Sequence, residues 1–313
     1  MTCRSISSFT LSGIPNLDGL NFWLGFPLIC MYILAMLGNS TILCIILINQ
    51  ELHKPMYIFL FMLTLVDLLL ATTTMPRMLG IFWFDKREIS FSSCITQMFF
   101  IHFLSAVESG VLVAMAIDRY VAICHPLNYS QILNVGTITK IFLAIMVRGA
   151  AGMIPLPLLI QRLPLWKDHL LTHSYCLHQE AMNLACCSIK LNIVYGLFII
   201  LFIMGIDSVF ISVSYLLIIK TVVCLVKESS LKGISTCTAH ICAVLIYYIP
   251  LIGLSVVHRF NNSRIPNLHI LFGNVYLLFP PVINPLIYGI KTKDIWNKLM
   301  NLLSKIKSQI SED

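Results

Sequence analysis

Seven long runs of apolar residues, separated by short polar connections, dominate this chain, at roughly 23–49, 57–83, 94–122, 139–161, 192–226, 234–259 and 266–290. A helix needs about 20 such residues to cross the hydrocarbon core, where no water satisfies exposed backbone groups and the helix must satisfy its own. Each run is long enough to cross once. The fourth is the weakest, holding Arg148 and ending in Pro155 and Pro157, but proline is tolerated in membrane helices. Composition agrees: 58% of residues are hydrophobic and 11% charged, where a soluble domain carries about 25% charge. The sequence predicts an all-α membrane protein, a seven-transmembrane helix bundle. One domain over residues 1–313 is expected, without repeats or linkers, with 1–22 before the bundle and 291–313 after it.

Charge excludes one partner and orients the chain. The net charge of +7 could suggest nucleic acid, yet Lys and Arg are scattered between apolar runs without a basic stripe, so no nucleic-acid partner is expected. The connections near 50–56 and 227–233 and the tail carry Lys54, Lys227, Lys232, Lys291, Lys293, Lys298, Lys305 and Lys307. On the opposite side Lys86, Arg87, Arg162 and Lys167 are accompanied by Asp85, Glu88, Asp168 and Glu180. The positive-inside bias makes the tail cytoplasmic and, with an odd number of spans, the N-terminus extracellular. Residues 1–20 show no secretory signal pattern, so the first run is expected to target the chain itself. In the tail Ile295, Trp296, Leu299, Leu302, Leu303 and Ile306 recur at helical spacing between lysines, predicting a short amphipathic helix on the inner membrane surface. Eleven cysteines, several inside apolar runs, define no disulfide framework by count, and none has zinc-ligand spacing with histidine.

Charged residues inside the runs are the candidate functional groups, because intramembrane charge is costly. Asp67 and Glu108 lie well inside runs two and three; Asp207, in run five, has no partner identifiable from sequence. The stretch MAIDRYVAICHPLNYS, residues 115–130, ends run three with an acid beside a base. Cys94 to Asp118 is 24 residues, about 36 Å of helix, so the Asp118–Arg119 pair sits at the opposite membrane face from Cys94. It can be a pair snorkelling at the interface, or one that neutralises itself in one state and meets a partner in another.

Gly38–Asn39, Asp67, DRY at 118–120 and NPLIY at 284–288 together resemble rhodopsin-like G-protein-coupled receptors. LHKPMY at 52–57, MAIDRYVAICHPL at 115–127, SY at 214–215, KGISTCTAH at 232–240 and PPVINPLIYGIKTK at 280–293 narrow the resemblance to olfactory receptors. Pro250 and GLSVVHRF at 253–260 resemble the fish-like class I branch. The resemblance implies a plasma-membrane receptor, not an enzyme, that binds a small odorant from outside and activates a stimulatory G protein to raise cAMP. It implies a switch in which Asp118 holds Arg119 at rest, with Tyr120 beside them and Asn284, Pro285 and Tyr288 as an activation hinge. It makes Asp67 and Glu108, beside Asn39 and Asn284, a candidate sodium and water site; the alternative is that one or both acids are simply protonated and hydrogen-bonded.

The same resemblance implies a Cys94–Cys176 disulfide, reasonable on an oxidising outer face. Two departures stand out. Where the family carries a cysteine ten residues before Cys176, this chain has Trp166, so Cys186 lacks its expected mate and, with Cys187, is either free or unconventionally paired. The N-terminal glycosylation site of the family is missing; of the Asn-x-Ser/Thr sequons, Asn39 falls in a span, Asn128 on the cytoplasmic side, and Asn261 outside but close to the membrane.

The ligand site is expected among the outer halves of runs three, five and six. His102 lies two helical turns from Cys94, Gln179 follows Cys176 closely, and Ser255 and Arg259 share a face at i and i+4. Arg259 could be an ordinary interfacial cation; because class I receptors often take water-soluble acids, the resemblance makes it a two-pronged carboxylate anchor. Leu156, Gly196, Ile200 and Tyr248 are candidates for the wall. A retinal-binding opsin is excluded because residues 266–290 contain no lysine, and His102, His240 and His258 lie at depths unsuited to a hydrolase metal. A chemosensor of the same fold outside olfaction, or an ion-coupled transporter using Asp67, Glu108 and Asp207, are the alternatives.

Overall fold

A computed structural model describes residues 5–13, 21–164, 166–225, 230–260 and 268–310, without the side chains of 21, 224–225, 230–236, 256–260, 268–269 and 305–310. Strand β1 (Ser8–Leu11) precedes α1 (Asn21–Ile48) and α2 (Pro55–Phe84); β2 (Glu88–Ser90) leads into α3 (Phe91–Cys124). A short α4 (Tyr129–Ile132) follows, then α5 (Val135–Met153) and α6 (Pro155–Gln161), β3 (Leu170–Leu171) and α7 (His178–Asn183). The rest is α8 (Lys190–Ile200), a π-helical segment at Leu201–Gly205, α9 (Ile206–Leu225), α10 (Ser230–Phe260), α11 (Leu268–Lys291) and α12 (Lys293–Ile310).

Among the described residues seven helical stretches are long and apolar enough to cross a membrane, and each overlaps one of the runs read from sequence. Pro55 occupies the first helical turn of α2, where its missing N–H is not needed, and the Ser90 hydroxyl caps α3 by accepting from the Ser93 amide. Asn134 caps α5 in the same way, accepting from Thr137 N at 2.9 Å. Pro155 then restarts the fourth span as α6, so that span is two helices rather than one. The third helix is the axis of the bundle, touching α2, α5, α9 and α10. Large side chains such as Leu37, Val209, Leu216 and Ile249 are exposed around the outside, as a lipid-facing surface requires. In α12, Ile295 is buried while Trp296, Leu302 and Leu303 stand exposed, consistent with an amphipathic helix laid on a membrane; the Ile306 side chain is outside the described residues.

One end of the otherwise helical bundle carries a small sheet. There β1 is the middle strand of a three-stranded sheet, antiparallel to β2 with Phe9 opposite Ile89 and parallel to β3 with Thr10 opposite Leu170. Phe9 and Leu11 point inward and are fully buried, and Phe9 stacks on Phe91 and meets Trp166 edge-on at 5.3 Å. These strands have four, three and two residues, too few for alternation to announce them. Trp166, where the family has a cysteine, is a buried ring of this cluster.

The connection from β3 to α8 folds over the same end. Cys94 and Cys176 are disulfide-bonded, and the Cys176 amide donates to Gln97 Oε1 at 3.1 Å. Cys186 is also disulfide-bonded, whereas Cys187 is free and exposed. Of the two readings left open by sequence, the free Cys186 is therefore overturned.

At mid-bundle a proline explains a glycine and an asparagine. Pro285 has no N–H, so the Pro281 carbonyl one turn earlier loses its helical donor. Asn39 supplies one: its Nδ2 donates to Pro281 O at 2.8 Å and to Ala35 O at 2.9 Å. Gly38 lets α1 approach, since a Cβ there would meet Pro285 Cβ at 2.9 Å. Asn39→Ala should leave that buried carbonyl unpaired and cost about 1–3 kcal/mol. Thermal unfolding of the detergent-solubilised protein checks this; an unchanged midpoint would mean that α11 needs no donor from α1.

Candidate functional site

Beneath α7, at the sheet end, lies a cavity of about 280 Å³ among α3, α6, α8, α10 and α11. Its wall is mostly apolar, built from Met153, Leu156, Ile199, Ile200, Leu251 and Leu254 among others. Of the residues expected from sequence, His102, Gln179, Ser255, Leu156, Gly196 and Ile200 all border it. The structure corrects one expectation. Tyr248 does not line the cavity; one turn below Leu251 on α10, it turns its hydroxyl to Ser109 Oγ at 2.8 Å. The side chain of Arg259 and all of Asn261 lie outside the described residues.

Polar atoms in this cavity are few and uncommitted. The buried His102 Nε2, His178 Nε2 and Asn192 Nδ2 have no hydrogen-bond partner among the described residues. Burial, reinforced by nearby His102, pushes the His178 imidazole down to about 3, so it is neutral at physiological pH. Leaving such groups unpaired costs about 1–3 kcal/mol each, and a polar ligand atom would recover part of it. No acidic or basic side chain is among the described lining residues apart from the two histidines. His178 and Asn192 were missed from sequence because loop and span boundaries do not reveal where a loop folds back. Ser105 could have been found: three residues after His102, it shares that face of α3 and also lines the cavity.

Under the cavity floor a chain of polar side chains draws on five spans. Tyr276 borders the cavity, and Tyr247, packed between Tyr248 and Tyr276, donates to Ser105 O at 2.7 Å. Ser109 Oγ gives its one proton to Asp207 Oδ2 at 2.6 Å, so the Tyr248 hydroxyl donates to Ser109. Arg148 grips the same carboxylate with two prongs, Nη1 on Oδ1 at 2.5 Å and Nη2 on Oδ2 at 2.9 Å. Asp207 therefore has the partner that sequence could not name, and the arginine that weakened the fourth run is its reason. Two local features make room. The π-helical segment just before Asp207 adds an extra residue to its turn, and at Gly110 a Cβ would come within 2.9 Å of Arg148 Nη2.

Further toward the α12 end sit the remaining candidates. Asn284 Nδ2 donates to Asp67 Oδ2 at 3.1 Å. Glu108 is buried and within electrostatic reach of Asp67, and among the described residues both its oxygens lack a hydrogen-bond partner, as do Asn39 Oδ1, Asn284 Oδ1 and the Tyr288 hydroxyl. Arg119 Nη2 is 3.8 Å from Asp118 Oδ2, while the shorter bond to that acid comes from Tyr129 OH at 2.7 Å. Tyr120 bonds His125 Nε2 at 3.3 Å instead of joining the pair. At the tail, Tyr57 OH donates to Asp294 Oδ2 at 2.6 Å and Lys298 pairs with Glu51 at 2.7 Å, which holds the Glu51 carboxyl below its ordinary range.

Comparison with known proteins agrees with this architecture. The profile of the olfactory receptor family matches residues 28–306. The chain is 52% identical to human olfactory receptor 51E1 over 298 residues, covering 95% of this chain and 94% of that protein. It is 53% identical to human olfactory receptor 51E2 over 295 residues, 94% of this chain and 92% of the relative, and 50% identical to human olfactory receptor 51D1 over 299 residues, with 95% and 92% covered. With its seven spans, its apolar cavity and its DRY and NPLIY segments, this multi-pass plasma-membrane protein belongs to the olfactory receptor family of G-protein-coupled receptors, and is not an enzyme.

Proposed function

We propose that this odorant receptor recognises a small carboxylic acid and couples to a stimulatory G protein that raises cAMP. In this reading the sheet end and N-terminus are extracellular and α12 lies on the cytoplasmic leaflet. The observation that carries the ligand class is a small apolar cavity whose polar atoms, on His102, His178 and Asn192, are buried and unpartnered. Ser255 borders the cavity, and Arg259 follows it by one helical turn in the sequence of α10, so we assign the countercharge for an acid to this arginine. A ligand carboxylate would take the guanidinium's two prongs and put its alkyl tail against Leu156, Gly196 and Ile200.

The relay is part of the proposal. Ligand pressure on Tyr276 and Leu251 moves α10, Tyr248 shifts on Ser109, and rearrangement at Asn284–Pro285–Tyr288 frees Arg119 from Asp118 toward the G protein. A sodium ion fits the chemistry of the Asp67–Glu108 region, where several oxygen acceptors lack donors; the hard-cation preference for oxygen ligands supports it. Asp67, Glu108, Asn39 and Asn284 would hold the ion and stabilise the resting packing.

A charge-assisted hydrogen bond contributes about 1.5–3 kcal/mol. Arg259→Ala should raise the half-maximal concentration of an acid agonist about tenfold to a hundredfold in a cAMP assay. Arg259→Lys should recover only part, lacking the planar fork, and the matched methyl ester should be nearly indifferent. Equal loss for acid and ester at matched surface expression would make Arg259 structural and remove the acid reading.

A further inference from the structure

We infer that Glu180 is a positioning residue for odorant selection: its carboxylate clasps Thr172, holds α7 at one rotation over the cavity, and so keeps His178 and Gln179 facing the ligand. The inference builds on the reading of this cavity as the odorant site. His178, Gln179, Met182 and Asn183 border the cavity, and Glu180 is not among the lining residues. At about 100° per residue, Glu180 lies about 200° round α7 from His178. Its side chain turns back onto the loop that precedes the helix. Thr172 Oγ1 donates to Glu180 Oε2 at 2.5 Å, and the Thr172 amide donates to the same oxygen at 3.4 Å. His173 Nδ1 lies 3.6 Å from Glu180 Oε1.

Thr172 is itself held on two sides. It follows directly on β3, whose residues pair with β1. The residues after it wedge against α11. His173 and Tyr175 are fully buried, and their rings meet edge-on at 5.6 Å. A Cβ on Gly273 would come within 2.5 Å of the Tyr175 hydroxyl and 3.3 Å of His173 Nε2, so a glycine on α11 lets both rings seat there. The clasp therefore joins α7 to a segment fixed by the sheet at one end and by the bundle at the other.

The Cys94–Cys176 disulfide leaves this rotation open. It fixes one point, two residues before α7 starts, and a helix of six residues can still turn about its own axis. A turn of about 100° would carry His178 off the cavity. A carboxylate bonded on the opposite face removes that freedom, and hydrogen bonds to an ionised acceptor are among the stronger ones. The consequence falls unequally on ligands. A short odorant reaches little of the apolar wall and depends on the polar atoms that α7 presents. A longer chain keeps its contacts with Leu156 and Ile200, which belong to α6 and α8, whatever α7 does.

Hydrogen–deuterium exchange of the detergent-solubilised full-length receptor tests the clasp without any ligand. Amides of 177–184 should exchange about tenfold faster in Glu180→Ala and in Thr172→Val, as loss of a hydrogen bond to a charged group implies. The double variant should be no faster, since the same bond is lost in each case. Thr172→Ser keeps the hydroxyl and should match wild type. In a cAMP assay at matched surface expression, each single variant should need about tenfold more butanoic acid but less than about threefold more octanoic acid. Basal cAMP should stay unchanged. Unaltered exchange at 177–184 in both single variants, or equal loss of potency for the two acids, would overturn the inference. A wild-type receptor that answers neither acid would instead refute the acid reading of the cavity, and the exchange rates would still decide the clasp.

Discussion

Replacing Arg148 with methionine should remove the receptor from the cell surface. Asp207 is 2% exposed in its side chain and receives both prongs of Arg148 in addition to the Ser109 hydroxyl. Taking away one partner of such a buried pair leaves an uncompensated charge and costs about 3–5 kcal/mol, whereas replacing both by apolar groups is often close to neutral. Arg148→Met and Asp207→Leu should therefore each abolish surface staining, and the double variant should regain a large part of it. The double variant should still signal poorly, because Ser109 and Tyr248 lose the carboxylate that ends their chain. Surface staining and agonist response, measured on the same cells, check both halves. If Arg148→Met reaches the surface normally, the ion pair is dispensable. If the double variant is no better than either single one, the two residues act separately.

Losing the Cys94–Cys176 bond should be nearly as severe. It closes a separation of 82 residues, and disulfides over long loops contribute about 2–5 kcal/mol. Here the bond also positions Cys176 next to α7, so its loss frees the end of the lid nearest His178 and Gln179. Cys94→Ser, Cys176→Ser and the double variant should all fall to background in agonist response, and to the same level, since one bond is lost in each case. A double variant clearly worse than either single one would show that the cysteines contribute through packing rather than through their bond. Near-normal response from Cys94→Ser would refute the role given to the bond.

The sequence by itself determined the parts that depend on local chemistry. Seven apolar runs of spanning length can do little else in a bilayer, because any other backbone would leave hydrogen-bonding groups unpaired in hydrocarbon. The α12 stripe and the position of Asp118–Arg119 at one end of α3 follow from helical periodicity and rise along single segments, whereas the expectation that His102, Ser255, Gly196 and Leu156 share a site came with the resemblance. The three-stranded sheet was not legible, because two of its strands come from loops about 80 residues apart in sequence and each is too short to carry a pattern. Tertiary structure alone paired Arg148 with Asp207: the two lie 59 residues apart on spans whose relative rotation no periodicity records. It also turned Tyr248 away from the cavity and gave the Pro281 carbonyl to Asn39. Each of these is a polar group in an apolar interior, where the cost of an unpaired atom selects one partner among many nearby. Which partner that is depends on how the helices stack, and stacking is a property of the whole bundle rather than of any one segment.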